Sequence, residues 1–274
     1  MCTIVLLRRV HPRYPLLVAA NRDEFLARPT AAPALGVLGP DVVAGRDLAA
    51  GGTWMGATLG GLFAGLTNQR PSAVAGGVRM TGLRSRGLLV KAALEAPDLD
   101  AACERLAALD ARETQEFNLI VADPRRAFVV YGRHDAARVR VAEVPEGISV
   151  LPNDVLDAPT FPKTARARAA SRVAVDLAAR GAPFDDVAAA LVPVLAAHHT
   201  APLEALPPPP PGSPLTAEFR RALDAMCIHT PVYGTRSAAL VALGPGGLAH
   251  YRHANGPPCE APFVDLLRPP AGVG

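Results

Sequence analysis

The sequence predicts an α+β fold in which two antiparallel sheets pack face to face with helices on their outer surfaces, a four-layer αββα sandwich. Three observations predict it. Neighbouring β-type runs are joined by short connections, which favours antiparallel pairing over βαβ crossovers. The runs come in blocks, in the order hairpins, helices, strands, helices, strands, so helices gather outside the sheets rather than between consecutive strands. Half of the 274 residues are hydrophobic, enough for a sizeable core. Length alone would permit two domains, but a single domain over 1–274 fits, with a Pro-rich loop at about 202–216.

Residues 2–7 read as a buried strand, and the prolines at 12 and 15 turn the chain into a second strand over 16–20. That hairpin ends at Asn21-Arg22-Asp23-Glu24. The Pro- and Gly-punctuated stretch to about residue 50 reads as loop. Runs 52–58 and 61–67 are separated by Leu59-Gly60, Gly60-Gly61 supply the turn chemistry, and the two form a second hairpin. Helical spacing follows over 84–95 and 98–109, with Asp98 and Asp100 placed to cap the second helix. Four β-type runs come next, at 117–122, 127–132, 137–143 and 147–151; in the third, valines alternate with arginines, so one face is solvated. Helices are predicted over 163–180, 184–197 and 217–226. The five prolines at 207–211 form a stiff polyproline segment, read as a surface loop rather than a docking motif. Three β runs, 235–243, 247–253 and 260–267, close the chain.

Composition excludes several function classes. The formal net charge is +3, and the positive residues are almost all scattered arginines, with lysine only at Lys91 and Lys163. No basic stripe points to nucleic acid. The apolar stretches are too short for a membrane span. The N-terminal apolar run precedes its Arg pair, the wrong order for a signal peptide. Cys2, Cys103, Cys227 and Cys259 show no CxxC spacing, and a reduced, cytoplasmic setting is the simplest reading. Arg in place of Lys, with abundant Ala, Gly and Pro, gives a bacterial-looking composition.

Cys2 carries the most chemistry. Removal of Met1 would leave a free α-amine on the cysteine, with a reference pKa of about 7.7–8. Nucleophile and base then belong to one residue, the logic of terminal-amine activation. Read alone, a cysteine at this place is a small apolar residue opening a strand.

The surrounding motifs change that. Met1-Cys2-Thr3 and Asn21-Arg22-Asp23-Glu24 are followed in order by Gly45-Arg46-Asp47, Gly51-Gly52-Thr53-Trp54-Met55-Gly56, Leu66-Thr67-Asn68, Ser85-Arg86-Gly87 and Phe117-Asn118-Leu119. Then come Leu151-Pro152-Asn153, Phe161-Pro162-Lys163 and Tyr233-Gly234-Thr235-Arg236-Ser237. Together they resemble the NRDE, or Transport and Golgi organisation 2, family over almost the whole chain. That family in turn resembles the cysteine branch of the N-terminal-nucleophile hydrolases, which includes penicillin V acylases and bile salt hydrolases and cleaves non-peptide amides.

The resemblance implies roles. Cys2 would attack the carbonyl of a small-molecule amide or thioester, Asp23 would hold the terminal amine, and Arg22 would pair with the thiolate or Asp23. Asn68 and Asn153 would fall at oxyanion-hole positions, and Arg236 at the place of a late active-site arginine. The hydrolases carry Arg-x-x-Asp on the second strand, a departure from the present order. Period two places Asn21 and Asp23 on one face and Arg22 and Glu24 on the other, so both pairs face Cys2 only if the strand has ended. An Arg–carboxylate brace is the alternative for Arg22 and Glu24. Asn118 reads as a sheet brace, and Trp54 as either pocket wall or core.

A second reading is a non-catalytic carrier of a hydrophobic ligand, since the family has been tied to haem and lipid handling. The bacterial-looking composition argues against a Golgi role. No cofactor is required. His198, His199, His250 and His253 match no closed zinc spacing. Cys227 and His229 share a face near Tyr233 and are placed to approach the site; with Cys2 they are the possible axial ligands for a haem. No G-x-S-x-G elbow is present.

Overall fold

The computed structural model describes residues 2–70, 82–209 and 213–268. The first half of the chain forms β1 (Cys2–Arg8), β2 (Leu16–Phe25), β3 (Thr30–Leu35), β4 (Val42–Asp47), β5 (Met55–Thr58), β6 (Phe63–Asn68), α1 (Arg86–Leu94), α2 (Leu99–Ala107) and β7 (Phe117–Ala122). The second half forms β8 (Ala127–Gly132), β9 (Arg140–Glu143), β10 (Gly147–Leu151), α3 (Pro162–Ala170), α4 (Arg172–Ala179), α5 (Phe184–Leu195), α6 (Ala217–Ala222), β11 (Tyr233–Gly244), β12 (Gly247–Ala254) and β13 (Phe263–Asp265). One sheet has the order β10-β1-β2-β11-β12-β13 and the other β3-β4-β5-β6-β7-β8-β9. Every pairing within them is antiparallel.

Three apolar clusters define four layers. The central one joins the sheets: Ile4, Leu6, Val18 and Tyr251 from the first meet Met55, Phe63, Ile120 and Val129 from the second. Val5, Leu7, Leu17 and Leu240, on the other face of the first sheet, pack on Ala174, Val187 and Leu191 of the helices. Ala44, Ala64, Leu119 and Val130, on the outer face of the second, pack on Leu89, Val90, Leu99 and Leu106 of α1 and α2. Both sheets are thus buried on both faces, which is why their interior strands read as continuous apolar runs rather than alternating ones. At roughly 1.5–3 kcal/mol for each large side chain buried, these layers supply the main driving force for the fold. The αββα sandwich is the arrangement expected from the sequence.

Local differences have physical causes. The stretch to residue 50 is not loop: it contains β3 and β4. Pro33 sits inside β3, which sequence reasoning takes as a break, but β3 is an edge strand, where a missing backbone donor costs little. A register shift between Ala31 and Ala34 absorbs the irregularity. Strand β2 continues to Phe25 because β11 pairs with it through that residue. The helix predicted over 163–180 breaks at Ser171, whose hydroxyl donates to the Ala167 carbonyl at 2.8 Å. Asp98 caps α2 as expected, accepting from the Ala101 N–H at 2.8 Å. The helix predicted over 217–226 shortens to Ala217–Ala222, and the last strand to Phe263–Asp265. In β9, Arg140 is exposed and its guanidinium stacks on Tyr131 at 4.0 Å. Pro207–Pro209 carry neither helix nor strand; Pro210 and Pro211 lie outside the described residues. Arg220 donates to the Pro207 carbonyl at 2.9 Å, and Arg70 to that of Pro208. No helix among the described residues is long and apolar enough to cross a membrane.

Asn21 ties the six-stranded sheet to its helical cover. Its amide donates to the carbonyls of Leu195, at the end of α5, and Met226, at 2.8 and 2.7 Å, and the side chain is buried. Asn21→Leu would fill similar space while stranding two buried carbonyls. The expected cost is about 2–4 kcal/mol, read as a lowered denaturant midpoint with an unchanged slope.

Candidate active site

The pairing of β1 with β2 sets the geometry. Cys2 lies directly opposite Arg22, Thr3 opposite Asn21, and Ile4 opposite Ala20. Ile4 and Ala20 belong to the inter-sheet core, and Val5 and Ala19 to the helix-side core. Alternation therefore puts Cys2 and Arg22 between the sheets, and Thr3, Asn21 and Asp23 on the helix side. The strand does not end, so Arg22 alone of the two candidate partners shares the face of Cys2.

Asp23 stands behind Cys2. Its carboxylate is buried and accepts from the Thr235 hydroxyl at 2.6 Å. Burial raises its pKa, while the buried Lys163 ammonium, Thr235 and Arg22 hold it down. Burial lowers Lys163 in turn, and the nearby carboxylates of Asp23 and Asp224 oppose that. The Lys163 ammonium also approaches the Thr3 hydroxyl at 3.5 Å. Each charge thus offsets part of the desolvation that burial imposes on the other. Lys163 is a site residue that sequence reasoning did not select. Its signal was there: it is one of only two lysines, in a Phe-Pro-Lys motif at a helix start.

Cys2 remains partly open to solvent. Its sulfur is nevertheless deep enough for burial to raise the thiol pKa, and the Asp23 carboxylate adds to that rise. The Asp23 backbone N–H and the Arg22 guanidinium act in the other direction by favouring thiolate. Arg22 is buried and stacks on the Trp54 ring at 4.1 Å, so its charge is fixed close to the sulfur.

The glycines of the sequence motifs hold Trp54 in place. A Cβ on Gly45 would overlap the far edge of the Trp54 ring. A Cβ on Gly52 would overlap the backbone of Gly87 at the start of α1, and the Thr53 N–H donates to the Gly87 carbonyl at 3.0 Å. The indole is thus pinned between Gly45 and Arg22, with its loop clamped to α1. Beside it opens a cleft of about 680 Å³ lined by Cys2, Trp54, Leu66, Asn68, Arg86 and Phe219, among others. Its rim carries the ion pair of Arg28 with Asp47 at 2.6 Å.

The other sequence-selected residues divide. Asn68, at the end of β6, lines the cleft. Asn153 does not; its amide donates to the Asn68 backbone carbonyl at 2.8 Å, so it lies behind Asn68 rather than facing the cleft. Arg236 also turns away. Its guanidinium donates to the carbonyls of Phe25, Leu26 and Arg28 at 3.2, 2.7 and 2.9 Å, closing the turn after β2. Asn118 is a brace, donating to Thr67 and to the Asp154 carbonyl at 3.0 and 2.9 Å. Trp54 is a cleft wall. Cys227 and His229 do not reach the cleft; they meet His198 and Cys259 elsewhere.

The Transport and Golgi organisation 2 family profile matches residues 1–252. The chain belongs to that family. A bovine relative, the Transport and Golgi organization protein 2 homolog, is 29% identical over 249 residues, covering 85% of this chain and 84% of its own. Two structures of variants of the conjugated bile acid hydrolase from Clostridium perfringens superpose with TM-scores of 0.51 and 0.50. Each is 10% identical and covers 97% of this chain and 93% of the hydrolase. At that identity the likeness shows the fold, which is the N-terminal-nucleophile hydrolase-like sandwich that the family resemblance implied.

Trp54 is the only tryptophan and therefore reports on the site. Gly45→Ala must displace the ring from Arg22. Its fluorescence emission is expected to shift to longer wavelength and become more accessible to a soluble quencher; an unchanged spectrum would contradict this packing.

Proposed function

We propose that the protein is a Cys2-dependent amidohydrolase or acyl transferase acting on a small non-peptide amide or thioester. One observation carries the proposal: the thiol that opens β1 lies in a 680 Å³ cleft, opposite Arg22 and against the Asp23 backbone N–H. The fold and the family resemblance support it.

Chemistry of this kind needs Met1 to be removed. The freed α-amine of Cys2 then takes the thiol proton, and the buried Asp23 carboxylate favours the resulting ammonium. The thiolate adds to the substrate carbonyl. Asn68, on the cleft wall, is the proposed donor to the developing oxyanion, with Asn153 holding its backbone in position; one such donor is worth about 3 kcal/mol. Arg22 stabilises the thiolate through its charge, and Arg236 acts at a distance by closing the turn that follows Arg22 and Asp23. The ammonium returns its proton to the departing amine or thiol, leaving a Cys2 thioester. Water completes hydrolysis, or a second nucleophile completes transfer. Trp54, Leu66 and Phe219 offer an apolar wall for an acyl group, and Arg84 and Arg86 offer cations for a polar end.

Intact-mass measurement is the test. The native protein should lack Met1 and gain one acyl group from a β-lactam or activated-ester probe, whereas Cys2→Ala should gain none. An intact Met1 would exclude terminal-amine catalysis. Ligand binding that survives Cys2→Ala in a protein that never turns substrate over would instead identify a carrier of a hydrophobic ligand.

The pH dependence has a defined sign. Burial raises the thiol pKa, so less thiolate is present at neutral pH and acylation should accelerate as pH rises. Arg22→Ala removes a charge that lowers that pKa. Its profile should move to higher pH, with acylation near pH 7 slower on the order of tenfold, one pKa unit of effect.

A further inference from the structure

We propose that His198, Cys227, His229 and Cys259 form a binding site for one zinc ion, separate from the Cys2 cleft. The donor atoms of all four lie within 4.8 Å of one another. The Cys227 and Cys259 sulfurs are 3.6 Å apart, and the His229 Nε2 is 3.5 Å from the first and 3.3 Å from the second. Tetrahedral zinc, with bonds of about 2.3 Å to sulfur and 2.0–2.1 Å to nitrogen, requires donor separations of about 3.3–3.8 Å. The three measured separations fall in that range. The two sulfurs are not bonded to each other, and both cysteines are free thiols. Two thiolates and two imidazoles are a zinc donor set, soft enough to disfavour magnesium and calcium.

The fourth ligand is prepared in a further way. His198 Nδ1 is 3.1 Å from the Cys227 carbonyl. With Nδ1 donating there, the lone pair is on Nε2. Zinc-bound histidines are held by this kind of outer hydrogen bond, here to a backbone carbonyl of another ligand residue. Four protein donors leave no position for water, which describes a structural rather than a catalytic ion.

Three segments distant in sequence would be stapled. His198 follows α5, Cys227 and His229 lie between α6 and β11, and Cys259 lies between β12 and β13. The middle segment leads to the candidate active site. The Ile228 N–H donates to the Thr235 hydroxyl at 2.9 Å, and that hydroxyl donates to Asp23 at 2.6 Å. The ion would therefore hold in place the segment that supports Asp23. Spacing in the sequence does not display the site, because only the Cys-x-His pair is local.

The reduced full-length protein should bind one equivalent of zinc by elemental analysis. Cobalt(II) alone should bind in its place, giving the intense visible bands of a tetrahedral thiolate complex. Chelation should lower the unfolding temperature, and zinc but not magnesium should restore it. Cys259→Ala changes an exposed side chain and is expected to fold; its zinc affinity should fall more than about 100-fold. His198→Ala provides an independent second variant with the same expectation. A reduced protein that binds neither ion tightly, or that gives an octahedral cobalt spectrum, would overturn the proposal. So would zinc binding undiminished in both variants, or a Cys227–Cys259 disulfide whose reduced form fails to take up zinc. None of these readouts depends on turnover, so the proposal stands or falls apart from the one made for Cys2.

Discussion

The register of β1 against β2 is the constraint on which the site depends. Side chains alternate with a period of two, so pairing Cys2 with Arg22 decides every neighbour at once. The arginine shares the cleft with the sulfur. The flanking asparagine and aspartate go to the opposite face, one tying β2 to the helices and the other standing near the buried Lys163 ammonium. A slip of one residue would put the aspartate in the cleft and the arginine under the helices. The buried alternation of Ile4, Leu6 and Val18 against Val5, Leu7 and Leu17 makes that slip expensive, because both faces of the sheet lie in apolar layers.

A second constraint acts from the other sheet. The cationic partner of the thiol is itself held by an aromatic ring, and the ring is held by the absence of a side chain at Gly45. The fixed charge beside Cys2 is thus the last member of a packed stack that begins in β4. This explains why the Gly45-Arg46-Asp47 and Gly52-Thr53-Trp54 motifs, which contain no obvious catalytic group, accompany the cysteine in the chain. They build the wall that positions the arginine.

Much of this was legible in the sequence. Apolar runs at 117–122, 127–132 and 147–151 coincide with strands, because runs of only five or six residues bounded by turns fit a strand buried on both faces better than a helix. Cys2 and the Asn21–Glu24 segment were legible as a candidate centre through motif order. Less legible was anything decided by tertiary pairing. β3 and β4 were hidden by Pro33 and by the glycines and prolines around them. Asn153 and Arg236 were placed by resemblance in the site, but hydrogen bonds to backbone carbonyls turn both away from the cleft. The Phe161-Pro162-Lys163 motif was legible, but the place of Lys163 near Asp23 was not, because Asp23 is 140 positions earlier in the chain and folding alone brings them together. The histidine–cysteine cluster shows the same limit, since its members come from three separate connections.

The irregular β3 and the charged β9 have a consequence beyond this chain's own folding. They are the two outer strands of the seven-stranded sheet. One carries Pro33 and a register break, and the other is short, with Arg140 and Glu143 at its ends. Neither offers an unbroken row of backbone donors and acceptors to a strand from another molecule. The features that disguise one edge from sequence reasoning also protect that sheet from templating its own aggregation.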